Sequence, residues 1–289
     1  MPEGAGDGYR LIESGAGRKL ESFGGVVVDR PCAAAVWPQR DPAAYSRAAA
    51  RFDRDASGRG RWHVREPLPG DWTMALAGTT WGLRANDFGH VGIFPEQKAN
   101  WRWIRAEAER VVARGAAPEV LNLFGYTGGS TLAAARGGAK VCHVDASKTS
   151  TRIARENAER SGLAEAPIRW IVEDAVLFVE REIRRGRRYQ GVILDPPSYG
   201  RGRRGEVWQL EELVMELLDK CRAVMADAPE FLLLTGHSPG FTPTVLANLV
   251  SELFPGPVEC GEMVIPSSDA RPLPSGAFAR WSAGGGADR

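Results

Sequence analysis

Cysteine is scarce in this 289-residue sequence. Cys32, Cys142, Cys221 and Cys260 stand far apart and form no Cys-x-x-Cys pair. Such spacing argues against a disulfide framework or a zinc knuckle, so no metal site is expected. Long apolar runs are missing too. Stretches such as Val26–Val28 and Phe231–Leu234 are far short of the ~20 residues a bilayer-spanning helix needs. Met1–Gly8 is Gly-rich and acidic, with no basic segment leading into an apolar one, so no secretory signal is expected. The expected address is the cytoplasm. Charge of one sign is lacking as well: 37 basic residues against 36 acidic ones leave a net charge of +1. Affinity resting mainly on counterion release from nucleic acid calls for a larger basic excess, so an RNA partner must be argued from local patches.

What is present divides near residue 95. Residues 1–95 read as a small β-rich module: Trp37, Trp62, Trp72 and Trp81 sit among short β-like runs at Gly25–Asp29, Trp62–Arg65 and Trp72–Arg84. One helix is expected there, over Pro42–Arg54. From residue 96 to 289 the pattern alternates. Helices are predicted at Glu96–Arg114, Gly129–Arg136, Thr149–Ser161, Ala175–Arg185, Glu211–Ala226 and Thr242–Leu253. Strands are predicted at Glu119–Phe124, Lys140–Asp145, Ile168–Glu173, Tyr189–Asp195 and Phe231–Thr235. Two further β-like runs, Val258–Ile265 and Gly276–Ser282, close the chain with no helix between them. The fold class is therefore α/β, a parallel sheet covered on both faces with an antiparallel terminal hairpin.

Open α/β sheets bind ligands beyond the carboxyl ends of their strands. After the first parallel strand comes Phe124-Gly125-Tyr126-Thr127-Gly128-Gly129, whose glycines let a ligand approach the backbone and which leads into a helix N-terminus. The spacing is not GxGxxG, which weakens a nicotinamide reading. Asp145 ends the second strand twenty residues after Gly125, where an acid can accept from both ribose hydroxyls of a nucleoside. Glu173-Asp174-Ala175 follows the third strand, where a carboxylate can receive an adenine amino group or cap the next helix. Asp195-Pro196-Pro197 follows the fourth. Two prolines fix an extended rim of carbonyl acceptors beside a carboxylate, suited to holding an amine or a base edge.

These residues resemble the class I S-adenosylmethionine-dependent methyltransferases. Gly92-Ile93-Phe94-Pro95-Glu96-Gln97-Lys98 followed by Asn122–Gly128 resembles, within that class, the bacterial large-subunit ribosomal RNA methyltransferases. The resemblance spans about Gly89 to Ser282 and implies a Rossmann-like sheet with S-adenosyl-L-methionine as cofactor. It implies that Phe124, Gly125, Thr127 and Gly128 line the methionine part of the cofactor. Asp145, with Ala146 beside it, would hold the ribose, and Asp174 with Ala175 the adenine. Asp195, Pro196 and Pro197 would face the methyl group and the acceptor. Gln97 and Asn100 are further candidates for the cofactor carboxylate.

One departure bears on chemistry. Relatives that methylate cytosine C5 carry Thr-Cys after the fifth strand, whereas this chain reads Leu234-Thr235-Gly236-His237-Ser238. Direct in-line transfer to a nitrogen or oxygen is expected instead, with His237 a candidate base. Residues 1–88 carry no match to the RNA-binding module of those relatives. The tryptophans there, with Arg59, Arg61, Arg65 and Arg84, could meet RNA, but they read more readily as the core of a small module. Two basic clusters, Arg184–Arg188 and Arg201–Arg204, sit near strand ends; the second could steer an anionic substrate. A nucleobase in RNA is the expected acceptor. A small-molecule or protein acceptor, a non-catalytic cofactor-binding module and a nicotinamide oxidoreductase are the alternatives.

Overall fold

The computed structural model describes residues 8–55, 59–201, 207–267 and 271–284, with the backbone alone for Arg201 and Val207. The chain divides into two compact units, residues 1–98 with 264–275 and residues 99–263 with 276–289. The turn end of the terminal hairpin thus belongs to the first unit.

The first unit is built on a five-stranded sheet of β1 (Tyr9–Gly15), β2 (Arg18–Phe23), β3 (Val26–Pro31), β4 (Ala50–Arg54) and β5 (Gly60–Val64), in that order. All neighbours run antiparallel except β3 and β4. A separate hairpin joins β6 (Thr73–Leu76) to β7 (Thr79–Gly82). The helix expected over Pro42–Arg54 is not formed. Asp41 caps a short 3-10 turn at Pro42–Arg47 by accepting from the Ala44 N–H, and the chain then extends into β4. There Ala50 and Phe52 are buried while Arg51 and Asp53 are partly exposed, a period of two. Pairing with β3 and β5 overrides the helical preference of the alanines.

The tryptophans pack this unit. Trp72 and Trp81 are buried, and the indole N–H groups of Trp37, Trp62, Trp72 and Trp81 donate to the carbonyls of Ser14, Asn86, Phe23 and Leu76. Trp72 and Trp81 are thus interior side chains, while Trp37 and Trp62 are half-buried with their indole N–H groups engaged.

In the second unit, α1 (Lys98–Val112) leads into β8 (Glu119–Leu123), α2 (Gly129–Arg136), β9 (Lys140–Asp145), α3 (Lys148–Arg160), β10 (Ile168–Val172), α4 (Ala175–Arg184) and β11 (Gly191–Leu194). A small hairpin comes next, β12 (Tyr199–Arg201) with β13 (Val207–Gln209), where sequence suggested only a loop. Then come α5 (Leu210–Val224), β14 (Phe231–Gly236), α6 (Pro243–Ser251), β15 (Val258–Ile265) and β16 (Leu273–Ser282). The sheet order is β10-β9-β8-β11-β14-β16-β15. The first five strands are parallel and β16 runs antiparallel to β14. Leu121, Leu123, Val192, Leu194, Leu232 and Leu234 of the central strands form one core with Phe178, Leu217, Leu218 and Leu246 of the helices. Strands buried on both faces read as continuous apolar runs for this reason.

Successive strands step outward from β8 to β10, and the chain then returns to β11 on the other side of β8. The crevice of such a sheet opens where the order reverses, between β8 and β11.

Candidate active site

Five consecutive strand ends of the second unit carry the candidate residues. The β8 loop is bent by three residues in the left-handed region: Phe124 at φ 56°, Tyr126 at φ 47° and Gly128 at φ 97°. For Phe and Tyr this conformation is strained, of order 1–3 kcal/mol each, and the surroundings hold it. Part of that hold is Asp145. Its Oδ2 accepts the Tyr126 N–H at 2.8 Å and its Oδ1 accepts the Ser147 N–H at 2.8 Å, tying the β8 and β9 loops together. Each oxygen keeps lone-pair capacity beyond that bond, as binding a vicinal diol requires. Burial pushes the Asp145 carboxyl above the ordinary aspartate range, and the Ser147 and Tyr126 N–H groups pull it back in part. The Thr127 carbonyl accepts from Asn157 Nδ2 at 3.0 Å, which anchors the loop to α3.

Sequence reasoning gave the glycines of this loop to a ligand. The structure gives Gly125 a further reason. A Cβ there would stand 2.5 Å from His143 Nδ1, inside the imidazole of a fully buried side chain on β9. Gly125→Ala is therefore expected to destabilise the protein by about 1–3 kcal/mol through overpacking. In thermal unfolding, the cost of Gly125→Ala should shrink in a His143→Ser background, because that change makes room for the methyl group. Equal costs in the two backgrounds would contradict this packing.

His143 was not among the expected site residues. Asn122 Nδ2 donates to Thr131 Oγ1 at 2.8 Å, and Thr131 Oγ1 lies 2.9 Å from His143 Nδ1. Asn122 and Thr131 thus hold the imidazole from its Nδ1 side, where the hydroxyl serves either tautomer, as donor to Nδ1 or as acceptor from it. Among the described residues Nε2 meets no hydrogen-bond partner. Burial pulls the imidazole pKa down to about 3. The unfolded chain takes up this proton near pH 6.5, well before the folded protein does, so stability falls with pH between these values. The slope from this group approaches about 1.4 kcal/mol per pH unit below pH 6. Urea unfolding at pH 7, 6 and 5 should show the stability lead of wild type over His143→Gln narrowing as pH falls. A constant difference would contradict a buried neutral His143.

Asp174 is the N-cap of α4: its Oδ1 accepts from Val176 at 2.9 Å and Leu177 at 3.1 Å. The capping role weighed from sequence is real, and Oδ2 lies outside those bonds. Asp195 follows β11. Thr235 Oγ1 donates to Asp195 Oδ1 at 2.6 Å, and His237 Nε2 lies 3.4 Å from the same oxygen. Asp195, expected to face the acceptor, and His237, the candidate base, are thus together, each about one-third exposed. Thr235 is the residue sequence reasoning missed; its place at the end of the adjacent strand was the available signal.

Not every carbonyl of the Asp-Pro-Pro rim is open to an acceptor. Pro197 already accepts from Trp208 Nε1 at 2.6 Å. Asn100 is buried and employed within the fold: its Oδ1 accepts from Arg280 at 2.6 and 3.1 Å, and its Nδ2 donates to Met263 Sδ at 3.3 Å. Gln97 is buried at the end of a 3-10 turn, Pro95–Gln97, of the first unit. The cluster at Arg184–Arg188 is partly paired, Arg187 with Glu119 at 2.6 Å and Arg185 with Glu182 at 3.3 Å. Arg203 and Arg204, and the side chain of Arg201, lie outside the described residues.

A family model for S-adenosylmethionine-dependent methyltransferases matches residues 14–235. The chain belongs to that family. The methyltransferase match starts inside the first unit, well before the motif-based resemblance beginning at Gly89. A solved S-adenosylmethionine-dependent methyltransferase from Agrobacterium tumefaciens is 42% identical, with a TM-score of 0.88 over 97% of this chain and 91% of that one. The ribosomal RNA large subunit methyltransferase I of Aeromonas salmonicida is 37% identical over 113 residues, 38% of this chain and 27% of that protein. The ribosomal RNA large subunit methyltransferase K of Neisseria meningitidis serogroup B is 28% identical over 186 residues, 64% of this chain and 49% of that protein. The methyltransferase therefore spans about a quarter to a half of the length of these two relatives. Its cofactor is S-adenosylmethionine, and the carboxylates at successive strand ends are the acceptor set that a nucleoside with a diol and an exocyclic amine calls for. Among the described residues no helix is long and apolar enough to cross a membrane.

Proposed function

We propose that this methyltransferase modifies a nucleobase nitrogen in RNA by direct in-line transfer, with no cysteine nucleophile. When bound, S-adenosylmethionine supplies an electrophilic methyl group on a sulfonium. Phe124, Gly125, Thr127 and Gly128 would line its methionine part. Asp145, beside Ala146, would hold the ribose hydroxyls, and Asp174 Oδ2, beside Ala175, the adenine amino group. Asp195 and the Pro196 carbonyl would orient the acceptor, and His237, steadied by Asp195, would take a proton where the acceptor nitrogen carries one. Alignment and a carboxylate environment do most of the work in such a transfer.

The observation that carries the mechanism lies at the carboxyl end of β14. Thr235 binds Asp195, the position after it, where the resemblance to cytosine-C5 enzymes calls for cysteine, is Gly236, and His237 lies beside Asp195. Cys142 and Cys221 do not substitute: burial pushes Cys142 up to about 11, and Cys221, inside α5, higher still. The RNA acceptor rests on the names of the relatives and on Arg201, Arg203 and Arg204, which follow the rim in the sequence. The first unit is proposed to recognise substrate, and the cytoplasm is the proposed compartment.

Incubation with methyl-labelled S-adenosylmethionine tests this reading, using RNA, protein and small-molecule fractions from cells lacking the gene. Label should enter large-subunit ribosomal RNA and appear in an N-methylated base after nucleoside digestion. Label in the protein or small-molecule fraction, or in cytosine C5, would overturn it.

A further inference from the structure

The β12–β13 hairpin brings one side chain to two loops of the site. Trp208 donates its indole N–H to the Pro197 carbonyl at 2.6 Å, and its ring centroid lies 5.8 Å from that of Phe124, the planes tilted by 46°. The same residue therefore touches the β8 loop and the Asp-Pro-Pro rim. Other contacts hold the rim at its ends. Thr235 binds Asp195, the Ser238 hydroxyl donates to the Ser198 hydroxyl at 2.6 Å, and the Leu210 N–H donates to the Ser198 carbonyl at 3.1 Å. The middle of the rim is two prolines without N–H groups, so hydrogen bonds can fix it only through its carbonyls. Trp208 supplies such a bond.

We propose that Trp208 is a positioning residue that sets the acceptor rim against the cofactor loop. This rests on the assignment of those loops under the proposed function. Its two contacts are separable. The N–H fixes the rim, where the acceptor atom must be aligned with the methyl group, and misplacement there costs rate rather than cofactor affinity. The ring supports Phe124, whose strained backbone opens the cofactor loop, and loss of that support costs cofactor affinity. A tryptophan that only filled space would lower stability without separating the two effects.

The test compares Trp208→Phe, which keeps a ring and deletes the N–H, with Trp208→Ala, which deletes both. Each is also made in a Phe124→Ala background. S-adenosylhomocysteine affinity is measured by calorimetry, and kcat and KM with large-subunit ribosomal RNA from cells lacking the gene. Trp208→Phe should bind S-adenosylhomocysteine within about twofold of wild type, keep its KM for RNA and lose about tenfold in kcat. Trp208→Ala should in addition bind S-adenosylhomocysteine about fivefold more weakly, and that loss should disappear in the Phe124→Ala background. Wild-type kcat in Trp208→Phe, or an affinity loss in Trp208→Ala that is nil or independent of Phe124, would overturn the proposal. Should wild type leave RNA unlabelled while the Phe124–Trp208 coupling is present, the RNA reading fails and the positioning role stands on the coupling.

Discussion

Asp195→Ala is expected to slow methyl transfer by ~10²-fold or more while leaving S-adenosylhomocysteine affinity within about twofold of wild type. The side chain sits at the end of β11, beside the switch point of the sheet, with one oxygen held by Thr235 at 2.6 Å and 3.4 Å from His237 Nε2. Truncation removes the rim's negative charge and leaves His237 without the carboxylate that steadies it. Asp195→Asn keeps the shape and loses the charge, so its rate should fall between the two. A Thr235→Val variant, which frees the carboxylate to rotate, should lose rate in the same direction by a smaller factor. Full activity in Asp195→Ala would contradict the assignment of the rim. Loss of cofactor binding equal to the loss of rate would contradict the division of labour between Asp195 and Asp145.

Glu21→Ala should destabilise the first unit by about 3–5 kcal/mol, because it strands a buried charge. Glu21 is fully buried, bound by Arg30 at 2.6 and 2.8 Å, by Lys19 at 3.2 Å and by the Tyr9 hydroxyl at 2.9 Å. Burial pushes its carboxyl up, but Arg30 and Lys19 outweigh this and hold it below the ordinary glutamate range. A carboxylate with a depressed folded pKa stabilises the protein above its unfolded pKa, and that contribution is lost as pH falls through the folded value. Arg30 would keep its bond to the Gly89 carbonyl and its place over the Phe23 ring, but not its counter-ion. Replacing both partners, Glu21→Met with Arg30→Met, should cost less than Glu21→Ala alone. Urea unfolding measures all three. A cost below about 1 kcal/mol for Glu21→Ala would mean that water or Glu96 takes over the charge.

The sequence exposed the catalytic frame because its signals are local. An apolar strand and a turn recur at β8, β9, β10 and β11, with glycines after the first and an acid after each of the other three, and each acid ended up at a strand's carboxyl end. The sequence also left Asp174 evenly poised between cap and ligand, and the structure makes it a cap through one oxygen. What escaped was non-local. Strands of three residues have no period to read, so β12 and β13, and with them Trp208, were hidden in a Gly/Arg-rich loop. His143 looked like one more β9 residue; only the fold brings it under Gly125. Asn100 reads as a polar residue near a motif, and its engagement by Arg280 spans 180 positions of sequence. In the first unit, the alanines Ala48–Ala50 that lead into β4 favour a helix, and pairing partners on either side decide otherwise.

We propose that Asp145 grips the nucleoside end of the cofactor at the β9 strand end. Titrating S-adenosylhomocysteine into wild type and Asp145→Ala by calorimetry addresses it directly. A ribose left without its acceptor should cost ~1–3 kcal/mol, and about tenfold in Kd for every 1.4 kcal/mol of that. For wild type, affinity should also fall with acidification at a pH above the ordinary aspartate range, because Asp145 must be ionised to accept both hydroxyls and burial raises its pKa. Unchanged affinity in Asp145→Ala would place the cofactor elsewhere and contradict the account.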